Sequence, residues 1–445
     1  MFPSRVLIPQ IRLRPLGFAV TSPPTEYVAS PLRSDTIRYG VGVLMVTTNS
    51  TSFPNRAVAA VVVLLLFTGC TSLERNPVPI DAMDRAVIPG MPDIRDWGDE
   101  PSPRFQEDLL QSVRDEWEAT GSVGGGMEAL LLSGGGSNGA FGAGVLSGWT
   151  EAGTRPTFKL VTGVSTGALA APFAFLGPDY DEALEQLFTT VTSKDIYKIR
   201  SPFVVLRKDS LTRTDPLAAQ IAQVVDVAIM QKIAAEHRRG RRLYVGTTNL
   251  DAQRLVVWNM GAIAASDRPG SVELFRQVLL ASASIPVAFP PVYIDVEVDG
   301  ARYDEMHVDG GVIAEFFLWG ATVDIASAQR ELGLDAAQRG KASVFIIRNG
   351  QIDPAPEQVE RKLVDIASRS MITLLKAVAM GDLIRIWALA QRDGVDFNYI
   401  GIPPEHAESP AAAFDPSEMR RLFDLGRRLA LEPEPWHTEP PTFVQ

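Results

Sequence analysis

The sequence predicts an α/β protein in which a mostly parallel sheet is covered on both sides by helices. Short apolar runs at residues 128–133 and 158–162 have the length and composition of strands buried on both faces. Each run is followed by a segment rich in alanine and glycine that suits a packed helix. Between run and helix stand glycine-rich turns, at the carboxyl ends of strands where sheets of this kind place their ligands.

Composition narrows the functional classes. The 445 residues are 46% hydrophobic and 21% charged, which excludes disorder of the whole chain and allows one large core or two smaller ones. A formal charge of −11 lacks the basic surplus that phosphate neutralisation needs, so no nucleic-acid partner is expected. The basic cluster from His237 to Arg242 is the exception. It reads as a solvated turn ahead of a strand, with an anionic lipid contact as the alternative.

From the start of the chain, residues 1–44 show little periodicity and are expected to be an over-extended start. Residues 45–69 then form a signal peptide opening at Met45. The apolar run at 57–69 is too short to span a bilayer, which takes about 20 residues, but suits the apolar region of a secretory signal. It ends in Leu66-Phe67-Thr68-Gly69-Cys70, which resembles a bacterial lipoprotein signal. That resemblance implies lipidation of Cys70 and anchoring in the cell envelope, with Thr71 after the cysteine pointing to the outer membrane. As the chain's one cysteine, Cys70 also excludes an intramolecular disulfide and a cysteine-built metal site. Residues 70–123 read as a proline-bearing tether with a helical stretch at 105–117 able to pack on the domain.

The 124–402 region holds the alternating strands and helices. Further strands are expected at 243–247, 255–258, 292–298 and 344–348, with a helix at 272–283, and residues 403–445 read as a C-terminal helix and tail. Gly134, Gly136 and Gly139 satisfy the dinucleotide pattern G-x-G-x-x-G, but Gly163-Val164-Ser165 occupies the place where a ribose-binding acid belongs. A phosphate loop fails for want of a lysine in register, no calcium-loop pattern is present, and neither metal nor cofactor is expected.

Taken together the two glycine loops indicate nucleophilic catalysis. Gly163-Val164-Ser165-Thr166-Gly167 has the form of a nucleophile elbow, a strained strand-to-helix turn that projects the Ser165 hydroxyl, with Gly163 and Gly167 leaving room for neighbouring backbone. Gly134-Gly135-Gly136 would offer backbone N–H groups to the oxyanion formed when Ser165 attacks a carbonyl. Two groups compete as base: His307, and Asp309 of Asp309-Gly310-Gly311. Residues 247–251 and 281–286 fall near the same edge and are expected to shape the pocket.

The ordered trio of triple glycine, Gly163-x-Ser165-x-Gly167 and Asp309-Gly310-Gly311 resembles the patatin-like phospholipases over roughly residues 129–348. The resemblance implies a three-layer α/β/α fold over 124–402 and hydrolysis of a lipid ester by a Ser165–Asp309 dyad, with Gly134, Gly135 and Gly136 as oxyanion hole. Asn138 stands where such enzymes often carry arginine or lysine, so no cationic role is expected there. Two readings from other classes remain: a catalytically inactive lipoprotein of this fold that binds lipid or a protein partner, and a nucleotide-binding oxidoreductase.

Overall fold

The computed structural model describes residues 74–121, 126–201, 208–318, 341–351, 353–406 and 413–441. Cys70, the expected signal peptide and residues 1–44 lie outside them.

In chain order the elements are β1 (Arg95–Trp97), α1 (Pro103–Thr120), β2 (Gly126–Leu132), α2 (Gly139–Glu151), β3 (Leu160–Val164), α3 (Thr166–Leu176), α4 (Asp181–Thr189) and α5 (Ser193–Ile196). A two-stranded ribbon of β4 (Lys198–Ile199) and β5 (Thr212–Arg213) leads to α6 (Asp215–Val224), α7 (Val227–Arg238), β6 (Arg242–Asn249), β7 (Arg254–Asn259), α8 (Met260–Ala265) and α9 (Ser271–Ser282). Then come β8 (Val292–Val298), β9 (Ala301–Asp309), β10 (Lys341–Arg348), α10 (Leu363–Asp393), β11 (Asp396–Gly401) and α11 (Pro416–Ala430).

The main sheet runs β1-β7-β6-β3-β2-β10-β11, with β9 also paired to β6 and β8 to β9. Its middle is parallel, from β6 through β3, β2 and β10 to β11, whereas β7, β9, β8 and β1 join antiparallel. Alternate residues of one strand feed opposite cores, as the two-residue period of a pleated strand requires. Leu130 and Leu132 join the core with α2, α3, α9 and α11, while Ala129 and Leu131 join the one with α1 and α10. This is a three-layer α/β/α protein.

Two expectations are corrected. Residues 74–121, read as a tether around one packable helix, belong to the folded body throughout: that helix is α1, which buries Phe105, Leu109 and Leu110, and β1 ahead of it pairs with β7. A Ser102 N-cap accepting from Phe105 N at 3.1 Å starts α1, and Gly121 in the left-handed region ends it. The basic cluster is solvated only in part, at the exposed Arg238 and Arg239. Arg242 is buried and paired to Asp108 at 2.9 Å and Asp115 at 3.2 Å of α1, Arg241 is paired to Glu236 at 2.9 Å, and half-buried His237 is held neutral by desolvation, its pKa lowered to about 3. The helix expected within 403–445 is α11, which packs on α2. Gly144 and Gly148 of α2 lie so close to α11 that a side chain there would collide with the Phe423 and Arg427 carbonyls, which explains the small residues of that helix.

Candidate active site

The register of four neighbouring strands brings the motifs together. Leu132 of β2 pairs with Gly163 of β3, Val164 with Gly246 of β6, and Thr247 with Asp309 of β9. The glycine loop after β2, the turn after β3 and the end of β9 therefore meet at one edge.

Ser165 occupies φ 55°, ψ −125°, a conformation that costs a residue with a side chain on the order of 1–3 kcal/mol. Its surroundings enforce that backbone. The Ser165 N–H donates to Ser282 Oγ at 2.9 Å, and Ser282 in turn donates to Gly246 O at 2.7 Å. A side chain at Gly163 would run into the Gly167 carbonyl at 2.5 Å, and one at Gly167 into Leu132 O. The elbow thus closes only with glycine at both positions, and it leaves Ser165 6% exposed at the start of α3.

The glycine loop is aimed by its carbonyls. Gly134 O accepts from Ser133 Oγ at 2.6 Å, Gly135 O from Asn138 N at 3.1 Å, and Gly136 O from Thr166 Oγ1 at 2.9 Å. In a trans peptide the following N–H points the opposite way, so the Gly135 and Gly136 N–H groups are turned from these partners. Among the described residues neither has an acceptor, nor has the N–H of Thr166 in the first turn of α3. Asn349 clamps the loop. Its N–H donates to Ser133 Oγ at 2.8 Å, its Nδ2 to Ser133 O at 2.9 Å, and its Oδ1 accepts from Gly142 N at 3.0 Å. At Gly135 a side chain would collide with the Asn349 carbonyl.

Asp309 is buried, with Oδ1 accepting from Gly311 N at 2.8 Å and its own N–H donating to Ser284 O at 2.9 Å. The 281–286 segment therefore holds both Ser165 and Asp309 by backbone. Oδ2 is sequestered and, among the described residues, no donor meets it at hydrogen-bond geometry; the Ser165 hydroxyl favours the charged form of the carboxylate without a formed bond. Such contacts commonly tighten only when substrate binds. Burial pushes the Asp309 pKa up to about 7, Ser165 and Gly311 oppose the rise, and the nearby Glu315 adds to it. A base with this value is far better matched to neutral pH than an ordinary aspartate.

His307 is placed differently. It is fully buried, with Nδ1 at 2.9 Å from Thr247 Oγ1 and Nε2 at 3.0 Å from Glu305 Oε2. Trp258 Nε1 donates to the same Thr247 hydroxyl at 2.8 Å, and Arg95 pairs with Glu305. Both ring nitrogens are engaged away from Ser165. Of the 247–251 segment, Thr247 supports His307, and Thr248 Oγ1 reaches Gly310 O at 3.4 Å. Asn249 Oδ1 accepts from Ala252 N at 3.1 Å, and Asp251 binds Arg75 at 2.7 Å, so these two act away from the site. Sequence reasoning missed Thr166, Glu315, Arg348 and Asn349. The polar pair Arg348-Asn349 at the end of the buried run of β10 was the available signal.

With this geometry in place, comparison with known proteins adds a family. Residues 130–321, less than half of the chain, match the family model for patatin-like phospholipase, a span that takes in the triple glycine, Ser165 and Asp309. The chain carries a patatin-like phospholipase domain. No curated protein sequence matches it. Among solved structures it is similar to VipD from Legionella pneumophila, at 13% identity over 70% of this chain and 67% of that chain with a TM-score of 0.33. It is also similar to human GIVD cytosolic phospholipase A2, at 9% identity over 72% of this chain and 55% of that chain with a TM-score of 0.26. The patatin-like domain places the chain, at the level of the family, among lipid hydrolases.

Proposed function

We infer that the protein is a serine acyl hydrolase of phospholipid or lysophospholipid esters, with Ser165 as nucleophile and Asp309 as its direct base. The observation that carries this reading is the pairing of a partnerless buried oxygen, Asp309 Oδ2, with a strained serine, while both nitrogens of His307 are spent elsewhere. Ser165 Oγ attacks the ester carbonyl and its proton passes to Asp309. The N–H groups of Gly135, Gly136 and Thr166 receive the oxyanion, each such donor being worth about 2.7–4 kcal/mol of barrier. Collapse expels the alcohol with the proton from Asp309. Water, deprotonated by Asp309, then frees the fatty acid and restores Ser165.

The test is mass spectrometry of products from a mixed lipid extract. Fatty acid and the matching lyso or deacylated lipid should appear with wild type and not with Ser165→Ala; equal product from both would overturn the assignment.

Among the described residues no single helix is long and apolar enough to cross a membrane. We propose that Cys70 carries the lipid that anchors the enzyme in a bacterial envelope, at the outer membrane, because the apolar run before it suits a cleaved signal. Cys70→Ala should move the protein from the membrane to the soluble fraction. Unchanged fractionation, with no lipid mass on the wild-type chain, would refute the anchor.

A further inference from the structure

Beneath the dyad lies a cluster that the scheme above leaves without a task. Glu315 and Arg348 are both buried, and Arg348 Nη1 donates to Glu315 Oε2 at 2.6 Å. The pair lies close to each part of the site. A side chain at Gly134 would stand 3.0 Å from Ser165 Cβ and 3.2 Å from Glu315 Oε2. One at Gly311 would stand 3.0 Å from Glu315 Oε1 and 3.1 Å from Asp309 Oδ1, so the two carboxylate oxygens lie within about 6 Å of each other. Arg348 Nη1 also reaches Gly134 O at 3.5 Å, behind the Gly135 N–H.

Two buried carboxylates this close oppose each other's ionisation. Among the described residues Arg348 is the one cation ion-paired with either. Asp382 of α10 fixes Glu315 by accepting from Glu315 N at 2.8 Å and Phe316 N at 3.3 Å, and is itself balanced by Arg385 at 2.9 Å. The other elements around Asp309 add no uncompensated charge. On β9 itself Glu305 is paired with Arg95 and burial keeps His307 neutral; β6 presents Thr247 and Thr248, the 281–286 segment Ser284, and the elbow Ser165.

We propose that Arg348 is a positioning residue for hydrolysis: by neutralising Glu315 it lets Asp309 stand ionised beside Ser165, and by reaching the Gly134 carbonyl it holds the Gly135 N–H toward the oxyanion. This rests on Asp309 acting as the base.

The experiment is the pH dependence of kcat/KM for a short-chain p-nitrophenyl ester, over about pH 5 to 9, with wild type, Arg348→Met, Glu315→Gln and the double variant. Arg348→Met should move the acid limb upward by about one pH unit or more, a loss of about tenfold on that limb that alkaline pH recovers in part. The double variant should return the limb toward wild type. Glu315→Gln alone, which leaves Arg348 facing Asp309, should lower it. An unmoved limb in Arg348→Met, or a uniform loss at every pH that the double variant does not relieve, would overturn the proposal. Should Arg348→Met not fold, an unmoved limb in Glu315→Gln overturns it equally. Asp309→Asn run alongside separates the two readings: substantial activity there defeats the base assignment, whereas an inactive Asp309→Asn with unmoved limbs defeats only the role of Arg348.

Discussion

Asp309 and His307 stand two residues apart on β9, and their surroundings are opposite. Around His307 every polar atom is matched: Thr247 on one nitrogen, Glu305 on the other, Trp258 on Thr247 and Arg95 on Glu305. Around Asp309 one oxygen has no partner among the described residues, and burial holds the acid near neutrality. A satisfied network stabilises and a deprived one reacts, because a buried group without partners stores the free energy that a proton transfer releases. The histidine, the residue chemistry would choose first, serves the scaffold, and the aspartate serves the reaction.

The strongest way to break this contrast is to remove the deprived group. Asp309→Asn keeps the shape but cannot take a proton, so activity should fall by about 10⁴-fold or more, as with Ser165→Ala. Stability should move the other way. The folded pKa of about 7 lies above the ordinary 3.8, so whatever stability Asp309 lends is complete below the ordinary value and is lost as pH rises through 7. The asparagine variant should therefore gain over wild type, on the order of 4 kcal/mol at most, above pH 7 and little at about pH 4. Denaturant melts at the two pH values measure this. In wild type, kcat/KM should drop about tenfold per pH unit below the Asp309 value; a flat profile across neutrality would show that Asp309 is not the titrating base.

Next in size is the oxyanion loop, which the contrast needs because a deprived base alone does not stabilise charge on the carbonyl. Gly135→Val would drive a side chain into the Asn349 carbonyl and turn the N–H groups aside. Turnover should fall by about 10²–10³-fold with a smaller change in substrate binding. Activity within about threefold of wild type, in a variant shown to be folded, would assign the triple glycine to packing instead.

How much of this was legible in the sequence follows from where each constraint acts. Ser165, Gly163, Gly167 and the triple glycine were readable because local backbone demands, a positive φ and a carbonyl in the place of a Cβ, leave few residue types possible. Asp309 was readable from the paired glycines after it. Arg348, Glu315 and Asn349 were not, since their partners stand far away in sequence, as Asn349 does from Ser133 and Gly142. The same distance misled the reading of Arg242, whose acids are Asp108 and Asp115 of α1, more than a hundred residues earlier. The parallel middle of the sheet was predicted from alternating strands and helices, but its antiparallel side was not. There β8 and β9 join through Asp299-Gly300, both at positive φ, a turn signal that the helix-by-strand reading passed over.

The smallest expected effect on turnover, and the sharpest on the contrast, belongs to His307. If its network is scaffold, His307→Ala should cost about tenfold or less in activity, through loosened support of β9, and several kcal/mol in stability. The reason for the larger stability cost is specific. Removing the ring opens a cavity and leaves the Thr247 hydroxyl short of a partner, and it takes one hydrogen bond from Glu305, a buried carboxylate whose pKa is held down to about 2 by Arg95 and His307. His307→Gln, which keeps a donor and an acceptor, should recover part of that stability with activity near wild type. In a Ser-His-Asp arrangement the same two variants would each lose the base and about 10⁴-fold in rate, glutamine restoring nothing. The measurement is ester hydrolysis and thermal unfolding on the pair. His307→Gln that is as stable as wild type and as inactive as Ser165→Ala would reverse the assignment of the two residues.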